Sequence, residues 1–136
     1  MTDKTLDPQV AMRELVDFSQ KFAAGLPALQ AAAGVEVGCS EREAVFRDDK
    51  ITLYRFKPIA KPAGVTPVLI SYALVNRPYM MDLQNDRSLI RRLLEQGLVV
   101  YLIDWGYPDG ADRFVDLDDY INGYIHRCMQ FVMDQH

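Results

Sequence analysis

The sequence predicts an α/β fold built as a helical N-terminal extension, a β-hairpin, and then a strand, helix, strand and helix in succession. Three observations carry this. Residues 43–56 hold two strand-like runs around a charged tip. Residues 68–72 and 98–103 are short, nearly continuous apolar runs, the pattern of strands covered on both faces in parallel sheets. After each of these runs, apolar residues recur at steps of three and four, the period of a helix. A chain of 136 residues suits one core. With 49% hydrophobic and 25% charged residues it is too apolar to stay disordered.

Taken in order, Asp7 followed by Pro8 is a good helix start, because Asp accepts from free N–H groups and Pro at the first helical position forfeits no bond. Ala11, Leu15, Phe18 and Phe22 then form one apolar stripe, which Gly25 and Pro27 are expected to stop. Ala28 to Val37, Ala-rich and with Gly34 inside it and Gly38 just beyond, reads as a short helix and linker. Residues 1–38 are therefore expected to form the helical extension and linker, and residues 39–136 the main domain.

Glu43 to Phe46 and Ile51 to Phe56, flanking Arg47, Asp48, Asp49 and Lys50, carry the hairpin signature. Lys57 to Pro67 holds three prolines and a glycine and reads as a loop. The strand Val68 to Tyr72 follows. Asn85 or Asp86 is expected to cap a helix with Leu89, Ile90, Leu93 and Leu94 on one face, closed by Gly97 in the left-handed position. Leu98 to Ile103 is the next strand, which completes a right-handed βαβ unit. Asp116 then caps a final helix whose apolar residues are Leu117, Tyr120, Ile121, Tyr124, Ile125, Cys128, Met129 and Val132. A hairpin, a βαβ unit and another helix are how an α/β-hydrolase begins, and the next element would be the strand leading to the nucleophile elbow. The expected fold is thus the N-terminal part of an α/β-hydrolase, incomplete, lacking the elbow strand and everything after it.

Composition excludes several functions. The net charge is −4 and the pI about 5.1, with Lys and Arg scattered, which disfavours nucleic acid as a partner. The longest apolar stretches, such as Pro67 to Leu74, fall well short of the roughly 20 residues of a membrane span. Met1 to Asp7 lacks the basic and then apolar pattern of a secretory signal, so a cytoplasmic location is the default. Cys39 and Cys128 belong to no C-x-x-C pair and are expected to be reduced. His126 and His136 show no zinc spacing, so neither a metal nor a cofactor is expected. A triad of Ser71, His126 and an Asp has no elbow motif behind it. The strand ending at Tyr72 runs into Ala-Leu-Val-Asn rather than a Gly-rich phosphate loop, which disfavours nucleotide binding.

Three blocks carry a resemblance. They are Tyr72-Ala-Leu-Val-Asn-Arg-Pro-Tyr79 with Asp82-Leu-Gln84, then Tyr101-Leu-Ile-Asp-Trp-Gly-Tyr-Pro-Asp109, then Leu117-Asp-Asp-Tyr-Ile121. Together they resemble class III polyhydroxyalkanoate synthases from about Pro67 onward. The resemblance implies a cytoplasmic acyltransferase, associated with the surface of polyester granules. It would polymerise the acyl groups of 3-hydroxyacyl-coenzyme A into a storage polyester, working with a second, non-catalytic subunit. The family uses a Cys nucleophile in a G-x-C-x-G elbow, a His base and an Asp that orients it. Cys39 lies in Gly38-Cys39-Ser40 and Cys128 in Arg127-Cys128-Met129, so neither matches. No member of the triad can be carried over, and this chain alone is expected to be inactive.

One part of the site does carry over. In this fold the oxyanion hole takes one N–H from the residue after the nucleophile and another from the loop after the third strand. That loop begins at Ala73, which makes the backbone N–H of Val75, with Asn76 beside it, the candidate donor to a thioester oxyanion. The plain reading of both residues is a β-to-α loop in which Asn ties down a turn. Arg77 is a candidate for a coenzyme A phosphate, or else an anchor of the loop to a carboxylate such as Asp82. Asp104 and Trp105 end a strand where α/β proteins place their sites, with packing as their plain role. Cys39 reads as a reactive thiol only if a His or helix start lies near it, and Cys128 reads as a core thiol. Without the elbow strand, Val68 to Tyr72 would present an open apolar edge, so self-association is expected. The reading from another class is a non-enzymatic module that binds a partner or ligand on the same half-fold.

Overall fold

The Asp7–Pro8 start is where the first helix begins. Asp7 Oδ1 accepts from the N–H of Gln9 at 2.9 Å and the Asp7 carbonyl from Ala11 at 3.0 Å. In the computed structural model, which describes residues 7–32, 34, 37–64 and 66–136, helix α1 runs Pro8–Ala32. It passes straight through Gly25 and Pro27, where the sequence reading has it stop. Pro27 costs one backbone bond, but Ala23, Ala24, Ala28 and Ala31 around it are the strongest helix formers, and they carry the helix across. The apolar stripe accordingly extends to Leu26 and Leu29. The linker expected over Ala28 to Val37 is helical to Ala32, and its residues 33, 35 and 36 lie outside the described residues. The chain divides into two units, Met1–Val35 and Glu36–His136, and among the described residues α1 is the one element of the first.

The second unit is organised by a four-stranded sheet. Strands β1 (Arg42–Asp48) and β2 (Ile51–Phe56) form the expected hairpin, with Asp48 opposite Ile51 and Asp49 at a positive φ of 54° in the turn. Asp is among the few residues other than Gly that adopt this conformation readily. Strands β3 (Val68–Ile70), β4 (Asp82–Gln84), β5 (Arg87–Ser88) and β6 (Val100–Asp104) follow. The sheet order is β1-β2-β6-β3, with β6 antiparallel to β2 and parallel to β3. Val100, Tyr101, Leu102 and Ile103 on β6 are each at most 1% exposed, and Leu53, Phe56, Ile90, Leu94, Cys128 and Val132 pack with them in the core.

Strand β3 is shorter than expected and only half-buried, because it lies at the sheet's edge. The β4–β5 hairpin occupies a stretch read as loop, with Asn85 and Asp86 at its turn. They therefore do not cap the next helix, α2 (Leu89–Glu95). Ser88 does, its hydroxyl accepting from Arg91 N–H at 2.9 Å. At the other end Gly97 takes a positive φ of 77°, with its N–H on the Leu94 carbonyl and that of Leu98 on the Leu93 carbonyl. This pair of bonds is the Schellman closure of a helix. A Cβ at 97 would lie 2.5 Å from the Lys61 carbonyl oxygen, so Gly is required twice over.

The last helix is capped by Asp116 as expected, Oδ1 accepting from Asp118 and Asp119 while Asp119 accepts from the Asp116 N–H at 3.0 Å. Its first turns, Asp119–Ile125, are π-helical before α3 (His126–Asp134) resumes normal winding. Of the apolar residues at helical spacing, Leu117, Ile121 and Met129 are exposed. Tyr120, Tyr124 and Ile125 pack on the core instead.

Candidate functional site

Parallel strands β3 and β6 deliver their carboxyl ends to the same edge of the sheet, where open α/β folds form sites. Two of the three sequence blocks leave the sheet here, and they are bound to each other. Trp105 is buried, and its Nε1 donates to the Tyr72 carbonyl at 2.8 Å, which ties the end of one strand to the end of the other. Tyr72 in turn stands edge-on to the Trp105 ring and donates its hydroxyl to Asp104 Oδ1 at 3.4 Å. Burial, and after it the Asp104 carboxylate, push the Tyr72 hydroxyl up to about 12. It is therefore a fixed donor at any physiological pH. Asp104 Oδ1 also accepts from the Gly106 N–H at 3.1 Å.

Past Tyr72 the chain turns tightly. The N–H of Asn76 donates to the Ala73 carbonyl at 2.9 Å, closing a four-residue turn with Val75 near its tip and 90% exposed. The two candidate oxyanion residues thus differ. Asn76 spends its N–H within the turn, whereas that of Val75 makes no hydrogen bond among the described residues. Arg77 follows, with its guanidinium 3.9 Å above the Tyr107 ring and Nη1 donating to the Gly106 carbonyl at 3.3 Å. It anchors the loop, though not to Asp82.

Asp82 is instead a buried carboxylate that accepts from Ser40 N at 2.7 Å, Ser40 Oγ at 2.9 Å and Ser88 Oγ at 2.5 Å. It joins residue 40 to the β4–β5 hairpin and, through Ser88, to the α2 cap. The sequence reading had no role of this kind for it. Gly106 and Tyr107 likewise have no role in the sequence reading, although both lie in the block Tyr101 to Asp109. Gly106 takes a positive φ of 67°, and a Cβ there would sit 2.7 Å from the Lys50 carbonyl oxygen. Lys50 itself bridges Asp109 at 3.0 Å and Asp112, which fastens the hairpin tip to the short 3-10 helix Gly110–Phe114.

Other sequence candidates lie elsewhere. Cys128 is fully buried, and burial pushes its thiol up to about 11, as suits a core residue. Cys39 borders a cleft of about 300 Å³ together with Ser40, Glu41, Lys57 and Arg91. Ser71 and His126 are both exposed, and among the described residues no hydrogen bond joins them. Trp105 packs edge-on against Tyr120 of the π-helical turns, with ring centroids 5.5 Å apart, bringing the third sequence block under the same edge.

The profile of the poly-beta-hydroxybutyrate polymerase (PhaC) N-terminus matches residues 24–93. The chain belongs to this PhaC N-terminal family. Three relatives are each 50% identical to it, all named poly(3-hydroxyalkanoate) polymerase subunit PhaC. The Allochromatium vinosum protein aligns over 95% of this chain and 37% of its own length, and the Synechocystis protein over 89% and 32%. The Thiocystis violacea protein aligns over 95% of this chain and again 37% of its own length. The chain thus spans about a third of the length of these curated relatives. The matched residues 24–93 include Tyr72 and Arg77, while Asp104, Trp105 and Tyr107, which they contact, follow the match. Among the described residues no helix is long and apolar enough to cross a membrane.

Proposed function

We propose that this chain is the leading part of a polyester synthase catalytic subunit, and that its contribution to the chemistry is the turn Ala73–Asn76. In this reading a Cys thiolate on a G-x-C-x-G elbow, beyond these 136 residues, attacks the thioester carbonyl of a 3-hydroxyacyl-coenzyme A. The carbonyl oxygen takes up negative charge, and Val75 N–H donates to it. Collapse of the intermediate expels coenzyme A as thiolate and leaves the acyl group on sulfur, from which the growing hydroxyl-ended chain removes it. A His base and its Asp partner serve both proton transfers. The substrate class, the second non-catalytic subunit and a cytoplasmic place at the granule surface belong to the same reading.

The observation that carries it is the junction at the sheet edge. Blocks some 30 residues apart, Tyr72–Arg77 and Asp104–Tyr107, meet at the carboxyl ends of β3 and β6, and of the two candidate donors on their exposed turn the Val75 N–H makes no hydrogen bond among the described residues. The order β1-β2-β6-β3 supports an α/β-hydrolase sheet, in which the elbow strand would pair along the open side of β3. Such a strand would bring the nucleophile to the turn.

The test is coenzyme A release from 3-hydroxybutyryl-coenzyme A. We expect none from these 136 residues and steady release once the downstream strand, elbow and His are supplied along with the partner subunit. Turnover by the short chain, or an inert extended chain with its partner present, would overturn the proposal.

A further inference from the structure

We propose that Arg77 and Tyr107 are positioning residues, a clamp that fixes the Ala73–Asn76 turn so that Val75 N–H is held in place before substrate arrives. This rests on the reading that Val75 is an oxyanion donor. A donor of that kind contributes only if it is preorganised, and misplacement by about 1 Å can cost on the order of a hundredfold in rate. Yet the turn has little to hold it. Val75 is almost wholly exposed, and among the described residues the one hydrogen bond inside the turn joins Asn76 to Ala73. Its order has to come from its two ends.

The entering end is secured by Tyr72, buried and bonded to Trp105 Nε1 through its carbonyl. The leaving end is secured through Arg77, which stacks on Tyr107 and bonds to the Gly106 carbonyl. That platform is rigid for reasons independent of Arg77. Gly106 is pressed against the Lys50 backbone, and its N–H is held by Asp104. Asp104 lies on β6, the most buried strand of the sheet. The clamp therefore refers the turn to the core rather than to another loop. It also explains why Arg suits position 77, since a planar guanidinium stacks on a ring and donates sideways at once.

The competing role for Arg77, contact with a coenzyme A phosphate, predicts different kinetics. In the synthase that carries this segment, assembled with its partner, Arg77→Met and Tyr107→Leu should each lower kcat roughly five- to tenfold. KM and inhibition by free coenzyme A should stay within about twofold. Tyr107→Phe keeps the ring and should retain activity, and the double variant should be little worse than either single one. Amide exchange of the peptide spanning 73–77 should quicken in both single variants. If Arg77→Met instead raises KM and weakens inhibition by coenzyme A while Tyr107→Leu changes nothing, Arg77 is a phosphate ligand and the clamp is wrong. Unchanged exchange in both variants also refutes it. Faster exchange at undiminished kcat would uphold the clamp but remove Val75 from the oxyanion role, so the two ideas fail separately.

Discussion

Strands β3 and β6 are parallel neighbours built from similar runs, Val-Leu-Ile and Val-Tyr-Leu-Ile-Asp, yet they live in different environments. β6 has a partner on each side, and its first four residues are buried. β3 has a partner on one side, and its three residues are each only partly covered. An apolar run therefore announces a strand meant to be buried, and the number of its neighbours decides whether burial is achieved. The candidate site straddles both. The turn with Val75 extends from the less supported strand, while the groups that hold it, Asp104, Trp105 and Gly106, extend from the better supported one.

The difference should be largest in core truncations. Leu102→Ala on β6 removes a side chain with no exposure from the centre of the sheet and should cost about 2–5 kcal/mol of unfolding free energy. Leu69→Ala on β3 removes the same atoms from a half-buried place and should cost about 1 kcal/mol. Urea melts of the two variants measure the contrast directly, and equal losses would mean that β3 is as well packed as β6.

Much of this was legible in the sequence because its signals were local. The Asp7 and Asp116 caps, the hairpin, the Gly97 stop and the second β-strand at Ile51–Phe56 each follow from a few adjacent residues. The misreadings share the opposite character. Pro27 was overruled by the helix formers on both sides, and Ser88 rather than Asn85 or Asp86 caps α2 because a small hairpin holds those two in its turn. The π-helical winding of Asp119–Ile125 leaves no mark in apolar spacing. At the site, Val75 and Asn76 could be named from their place after a strand, but which N–H was left over depended on the closure of one turn. Ser40 lies 42 residues from Asp82 and Gly106 lies 29 from Arg77, beyond the reach of any local pattern, and only the Ser88 bond to Asp82 is short-range.

An open edge makes the comparison testable in a second way. Val68 N–H bonds to the Val99 carbonyl at 2.8 Å, so by the alternation of a strand Leu69 N–H faces the unpaired side. We expect the 136-residue chain to self-associate through this edge as its concentration rises. Leu69→Pro deletes the outward N–H while sparing the bond from Val68, and should weaken association about tenfold or more in sedimentation. Association that is indifferent to this change would have to use another surface.

The smallest effect concerns the support beneath Gly106. The carboxyls of Asp112 and Asp109 are held below the usual Asp value, that of Asp112 chiefly by the hydrogen bond from Lys50 and that of Asp109 chiefly by the Ala111 N–H and then by Lys50. A carboxylate whose pKa is lower folded than unfolded adds stability above its unfolded value, and that stability fades as pH falls through the folded one. Stability should therefore decline as pH drops below the ordinary Asp value of 3.8, and Lys50→Met should flatten part of the slope. Because both carboxylates and Lys50 are solvent-accessible, salt should mute the effect. If the pH profiles of Lys50→Met and the parent chain superimpose, then Gly106 is held by its contact with the Lys50 backbone and by Asp104, and the turn's platform owes nothing to the Lys50 side chain.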